Sequence, residues 1–172
     1  LRTRRQRQMC IRDRFVADFE GYQLIENPEF EKANLYSLLA AQKELDKGFY
    51  LFNADHYYSQ ENYQKIFSQS SDNIVIYCDH DRVLTDDDMK VALNDGRFVQ
   101  MSKKLSKYDL GYVGITRVPV NKLEVYWQAC EAVANELGDT ANVEAVVNEL
   151  AKRGEAIDLS LIHISEPTRQ DR

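Results

Sequence analysis

The stretch Phe49-Tyr50-Leu51-Phe52-Asn53-Ala54-Asp55-His56-Tyr57-Tyr58 decides how the chain is read. It opens just after Gly48 with a short, aromatic-rich apolar run, the pattern of a buried strand. The run stops at a polar cluster, which puts Asp55 just past the strand's carboxyl end. In open α/β sheets ligands bind along that edge. A carboxylate there is placed to hold a divalent metal against phosphates. The bland alternative is that Asn53 and Asp55 only make turn hydrogen bonds or cap the next helix.

Working outward, Tyr22 to Glu26 reads as a strand stopped by Asn27-Pro28. A helix is predicted from about Asn34 to Leu45, with Leu35, Leu38, Leu39 and Leu45 on one stripe. Beyond the central stretch, a helix over about Gln60 to Gln69 buries Tyr63, Ile66 and Phe67. Asn73 to Cys78 is a continuous apolar run of the kind found in central strands. Met89 to Leu93 and Arg97 to Met101 flank Asn94-Asp95-Gly96, a strong hairpin signal. Leu110 to Val118 reads as a strand ended by Pro119. Two helices follow, about Asn121 to Leu137 and Asn142 to Arg153, and Glu155 to Leu159 begins one more strand. Alternating strands and helices argue an α/β fold with right-handed crossovers, and the hairpin makes the sheet mixed. There is no internal repeat and no linker, so one domain is expected.

The two ends differ from the rest. Residues 1–14 hold six arginines and one acid with no apolar periodicity, and residues 160–172 close on a second Arg-rich tail. Both resemble translated adapter sequence and are set aside as non-native, leaving 15–159 as the domain. The alternative for the first is a basic arm for nucleic acid or membrane, but it lacks lysine and interleaved aromatics. The ends carry eight basic and three acidic residues of the chain's 22 and 28, so 14 and 25 remain between them, net −11. That balance argues against a nucleic-acid surface. An acidic protein binds phosphates only through a metal or a few placed lysines. Cys78 and Cys130 lie 52 residues apart without metal-ligand spacing, which points to a reduced, cytoplasmic protein. No run approaches a membrane span.

Several segments, taken in order, resemble one family. Asn27-Pro28-Glu29-Phe30, continuing through Asn34-Leu35-Tyr36-Ser37-Leu38, is similar to a segment of the nucleotidyltransferases that make NDP-activated sugars and alcohols. Phe52-Asn53-Ala54-Asp55-His56 resembles the strand-end acid segment that follows there. Leu84 to Val91, Asp95 to Lys104 and Gly111-Tyr112-Val113-Gly114-Ile115 resemble the next segments. The nearest branch is the cytidylyltransferase-like one, with phosphocholine, inositol-phosphate and phosphonate substrates. The resemblance covers about Gly21 to Gly154. It implies a Rossmann-like, GT-A-like three-layer fold with a mixed sheet. It also implies a reaction in which a phosphorylated alcohol or sugar attacks the α-phosphate of an NTP, in this branch CTP, and pyrophosphate leaves. Catalysis of that kind rests on aligning two anions and neutralising charge, with Mg²⁺ bridging phosphates and a carboxylate.

By this resemblance Asp55 is the metal ligand and a catalytic residue. Asn34 and Ser37 help hold the base or ribose, Lys103 neutralises the acceptor phosphate, and Gly114 lets backbone approach the substrate. Local chemistry keeps alternatives open: Asn34 as a helix N-cap, Lys103 and Lys104 as a solvated turn, and Asp86-Asp87-Asp88 as an exposed acidic turn. Asp79-His80-Asp81 invites a metal reading, but neighbouring side chains at a strand end are expected to diverge. The family's amino-terminal Gly-rich loop is not matched, since no Gly-x-Gly occurs. Asp158 stands too early for the second metal-binding acid. The expectation is therefore a domain truncated at both ends, inactive by itself, from an enzyme. The competing readings are a non-catalytic nucleotide- or sugar-binding domain of the same fold and a GT-A-like glycosyltransferase. The latter wants Asp-x-Asp where Asn53-Ala54-Asp55 stands.

Overall fold

The computed structural model describes residues 23–162 apart from 54, 55, 57 and 82. Its spine is one long strand, β5 (Leu110–Val118), buried along most of its length. Along one edge β5 pairs antiparallel with β2 (Ile74–Asp79). Its other edge is divided. Leu110 and Gly111 pair with β3 (Lys90–Asn94), while Ile115 to Val118 pair with β1 (Phe49–Phe52). Outside these, β4 (Arg97–Ser102) pairs with β3, and β6 (Ile157–Leu161) runs parallel to β2. The six-stranded sheet is therefore mixed. β1 and β2 both oppose β5, so they run parallel to each other with β5 between them.

Alternation of side chains sorts the core into two faces. Phe49 and Leu51 of β1, Ile74 and Ile76 of β2 and Val118 of β5 point to one face. Three helices cover it: α1 (Leu35–Ala40), α3 (Leu123–Leu137) and α4 (Val143–Lys152). Tyr50, Phe52, Val75, Tyr77, Val113 and Ile115 point the other way, toward α2 (Gln60–Ser68) and Tyr58. This is a three-layer α/β arrangement. Phe49 stacks on Trp127 at 5.7 Å and meets Tyr126 edge-on at 5.8 Å, locking β1 to α3. Each fully buried Ile, Val or Leu in these layers contributes on the order of 1.5–3 kcal/mol relative to exposure.

Local chemistry sets the ends of the elements. The Ser59 hydroxyl accepts the Asn62 N–H to start α2, and the Asn142 side chain accepts the Ala145 N–H to start α4. The hairpin turns on Asp95 and Gly96, both with positive φ (49° and 73°), as its Asp-Gly sequence demands. Asn148 of α4 clasps the outer edge of β4: its oxygen accepts the Met101 N–H at 2.8 Å and its amide donates to the Met101 carbonyl at 2.9 Å.

Four expectations need revision. Of the strand expected at Tyr22 to Glu26, the described residues 23–26 form none; Leu24 and Ile25 are exposed and gain no sheet partner among the described residues. The first helix ends at Ala40 and tightens into a 3₁₀ turn over Gln42–Glu44, so Leu45 lies beyond it. In α2 only Ile66 of the expected apolar stripe is buried; Phe67 is 56 % exposed, because the layer outside α2 has no further element among the described residues. β6 continues through Ser160 and Leu161, residues set aside above, and Ile162 packs beside Tyr58 after donating its N–H to the Cys78 carbonyl.

Candidate active site

The divided edge of β5 creates the site. On that edge, between the contacts with β3 and β1, Tyr112 to Gly114 have no strand alongside among the described residues. The Tyr112 N–H reaches the Met89 carbonyl at 2.8 Å, and the Gly114 carbonyl accepts the Asn53 N–H at 2.9 Å. Gly114 has φ +82°, and a Cβ there would stand 2.9–3.0 Å from the Nδ2, Cβ and Cγ atoms of Asn53. Glycine is thus needed both for the backbone angle and for the space.

Above Gly114 opens a cleft of about 720 Å³, within the range of small-molecule sites. Asn53 and His56 form the wall that follows β1. Asp87 to Met89 and Gln100 to Lys104 form the opposite wall, and Ala33, Asn34, Thr140, Asn142, Glu144, Ala145 and Asn148 form the roof. Three residues singled out from the sequence, Asn34, Lys103 and Gly114, therefore meet in one cavity although they lie far apart in the chain. Asp55 lies outside the described residues; its sequence neighbours Asn53 and His56 line the cleft. Ser37 does not line it: it is exposed, and its hydroxyl accepts the Asn27 amide at 3.0 Å.

The lysine-bearing wall is held from beneath. Lys90 is buried, and its Nζ donates to the Thr85 carbonyl at 2.8 Å and the Lys103 carbonyl at 3.0 Å. A buried ammonium needs such partners, and here they tie the acidic turn to the turn that carries Lys103. That acidic turn is closed by Asp88, whose carboxylate accepts the Thr85 N–H and hydroxyl at 2.6 and 2.8 Å. Asp86 and Asp87 are exposed, as expected of a solvated turn.

Asn34 behaves unlike a cap. It precedes α1, but no side-chain capping bond forms there. Its Oδ1 instead accepts the Val143 N–H at 3.0 Å, the first helical residue of α4. Next to it stands Glu144, a cleft residue that the sequence reading missed. Burial pushes its carboxyl up from the usual range, while its own N–H, the Asn34 side chain and the Lys103 charge pull it back. An acid in the first turn of a helix reads as a dipole-compensating residue, so nothing local distinguishes it.

Asn53, Asp87 and Asp88 offer the cleft oxygen donors of the kind a hard cation takes, beside the thioethers of Met89 and Met101. Among the described residues, though, no three acidic, imidazole or thiol groups of the cleft lie close enough to share an ion. Elsewhere, Asp79, His80 and Asp81 do not diverge as expected. Their ligating atoms lie within 4.8 Å of one another. The loop folds back because Asp79 Oδ1 accepts the Asp81 N–H at 2.8 Å, and His80 Nε2 meets Asp81 Oδ1 at 2.9 Å. None of the three lines the cleft. Asp158, at the opposite end of β2 from Asp79, accepts from the Ser71 hydroxyl at 2.6 Å and the Asn73 amide at 3.2 Å. Both described cysteines are free and buried, and burial pushes each thiol up to about 12.

No protein-family model matches the chain, and no curated protein does. Solved structures do. The inositol-1-phosphate CTP transferase from T. maritima superposes with a TM-score of 0.70 at 17 % identity, over 87 % of this chain and 60 % of that one. The nucleoside-diphosphate-sugar pyrophosphorylase from Vibrio cholerae RC9 gives 0.57 at 13 %, over 90 % and 68 %. UDP-glucose pyrophosphorylase complexed with UDP-glucose gives 0.56 at 8 %, over 92 % and 65 %. The chain has the fold of these nucleotidyltransferases, a mixed sheet between helical layers, and spans 60 % of the length of the first.

Proposed function

We propose that this chain is part of a nucleotidyltransferase that moves a nucleotidyl group from an NTP, CTP in our reading, to a phosphorylated alcohol or sugar, releasing pyrophosphate. One observation carries the proposal: Asn34, Lys103 and Gly114 converge on a single cleft at the strand end where Asp55 follows β1. The fold shared with a CTP transferase and two sugar pyrophosphorylases supports it.

In this reading Lys103, on a turn fixed by the buried Lys90, neutralises the acceptor phosphate as a charge-assisted donor. Gly114 keeps the cleft floor low so that substrate can approach backbone. Asn34, with its oxygen engaged by α4, has amide N–H left to offer the nucleotide. Ser37 supports the Asn27 turn and contacts nucleotide only if that turn moves. Asp55 would hold Mg²⁺ with oxygen donors such as Asn53 beside it, and the ion would offset the phosphate charge. Positioning and electrostatics then supply the rate. The two described cysteines, free and buried, support a reducing, cytoplasmic setting; no helix among the described residues is long and apolar enough to cross a membrane.

The test is pyrophosphate release from each NTP with a panel of phosphorylated alcohols and sugars, using this chain and any longer protein that carries it. Asp55→Ala should lower kcat/KM by about 10²–10³-fold, the scale of losing one preorganised electrostatic contributor. An unchanged rate removes Asp55 from the mechanism. Saturable nucleotide binding without turnover in the longer protein makes it a non-catalytic binding domain instead.

A further inference from the structure

We propose that Glu144 is a specificity-determining residue of the cleft, accepting a hydrogen bond from a hydroxyl or ammonium group that the acceptor carries beside its phosphate, while Lys103 takes the phosphate. The inference rests on the nucleotidyl-transfer reading for a phosphorylated acceptor. It adds which functional group the cleft selects.

The second residue of α4 would ordinarily leave its carboxylate in water. Here Glu144 lines the cleft. The neighbouring first-turn N–H groups of Val143 and Ala145 are already taken by Asn34 and Asn142, so of that turn its carboxylate meets only its own N–H. A carboxylate offers about four acceptor sites. Its own N–H and the Asn34 side chain engage part of that capacity. No cation among the described residues stands within ion-pairing distance of it, and Lys103 acts on it only through its field. Acceptor capacity is thus left over in a partly desolvated place, where a neutral or anionic ligand group without a donor hydrogen is unwelcome and a donor is favoured. Asn34 makes the arrangement rigid. Its amide ties the start of α1 to the start of α4 and holds Glu144 at the same time. Across the cleft, Lys90 donates to the backbone carbonyl of Lys103 and so braces the turn that presents its exposed ammonium. A carboxylate at a braced helix start and an ammonium carried on a braced turn, of opposite sign and lining one cavity, match a ligand that carries an anion and a donor.

The test is calorimetric titration of the 172-residue chain and its variants with four probes: inorganic phosphate, ethyl phosphate, glycerol 3-phosphate and ethanolamine phosphate. The chain should bind at least one donor-bearing ester about tenfold more tightly than ethyl phosphate, the scale of one charge-assisted hydrogen bond. Glu144→Gln should remove that advantage for ethanolamine phosphate, reduce it less for glycerol 3-phosphate, and leave inorganic phosphate unchanged. Which ester gains identifies ammonium or hydroxyl as the selected group. Equal binding of all esters by the unmodified chain overturns the proposal. So does a uniform loss across the four probes in Glu144→Gln, because that is the signature of a structural role. If Lys103→Ala changes no phosphate affinity, or no probe binds, the phosphorylated-acceptor reading falls and takes this one with it. Phosphate binding that depends on Lys103 but not on Glu144 sinks this inference alone. Thermal unfolding of Glu144→Gln confirms that the variant is folded.

Discussion

Gly114→Ala puts the geometry of the cleft floor to a quantitative test. Two penalties should add. An L-residue forced to φ +82° costs about 1–2 kcal/mol. The new Cβ also meets three Asn53 atoms at 2.9–3.0 Å. One of these is the Asn53 Cβ, which cannot rotate away, and such overpacking costs roughly 1–3 kcal/mol. The sum is about 2–5 kcal/mol. For a domain of this size each kcal/mol lowers Tm by about 3–4 °C, so a fall of roughly 6–20 °C is expected. Gly96→Ala is the internal control. Gly96 has φ +73° but nothing within 4 Å of an added Cβ, so it should show the backbone penalty alone. Both variants can be followed by calorimetric and urea unfolding. The reasoning fails if Gly114→Ala is no more destabilised than Gly96→Ala, since the clash with Asn53 would then be relieved at no cost.

Tyr126→Phe should leave stability unchanged or raise it by about 1–2 kcal/mol, because the Tyr126 hydroxyl is buried with no partner among the described residues; a clear loss in urea unfolding would show that the hydroxyl is bonded after all. Asn148→Ala removes both hydrogen bonds to Met101 and should cost roughly 1–3 kcal/mol, with faster hydrogen exchange at the Met101 amide; unchanged protection there contradicts the clasp. Burial raises the Glu144 carboxyl above its ordinary 4.5, so folding favours its protonated form relative to the unfolded chain. The associated stability is complete below the unfolded value and is lost as pH rises through the folded one. Glu144→Gln should therefore gain on the unmodified chain in urea midpoints as pH rises above the ordinary carboxylate range, and a pH-independent difference would refute the assignment.

Much of the architecture is written locally. Leu110 to Val118 is apolar enough to announce a buried strand, and the Asp95-Gly96 pair can adopt positive φ where most sequences cannot, so strand and hairpin fall where expected. The continuous run at Ile74 to Cys78 reports burial on both faces because it has helices on both. What covers a face is not local. The spacing of Tyr63, Ile66 and Phe67 defines a stripe on α2, but only packing decides that Ile66 goes inside and Phe67 stays out. The cleft was half legible for the same reason. Asn34, Lys103 and Gly114 came from ordered motifs. Glu144 depends on a bond between residues 109 apart, and Lys90 reads simply as the start of a strand. Ser37 shows the converse: a motif residue whose hydroxyl is spent on the turn before it.

The divided pairing of β5 also dictates an order of assembly. During synthesis β1 and β2 emerge first, yet they cannot pair with each other, since β5 lies between them in the sheet. Only the β3–β4 hairpin can close from what precedes β5. Until Val118 has left the ribosome, the apolar flanks of Phe49 to Phe52 and Ile74 to Cys78 have no sheet partner. Such exposed strands invite association with other chains. A nascent chain stalled before residue 110 is thus expected to need a holding chaperone. One stalled after residue 118 can already pair β1, β2 and β3 around a single strand, leaving β6 to complete the far edge last.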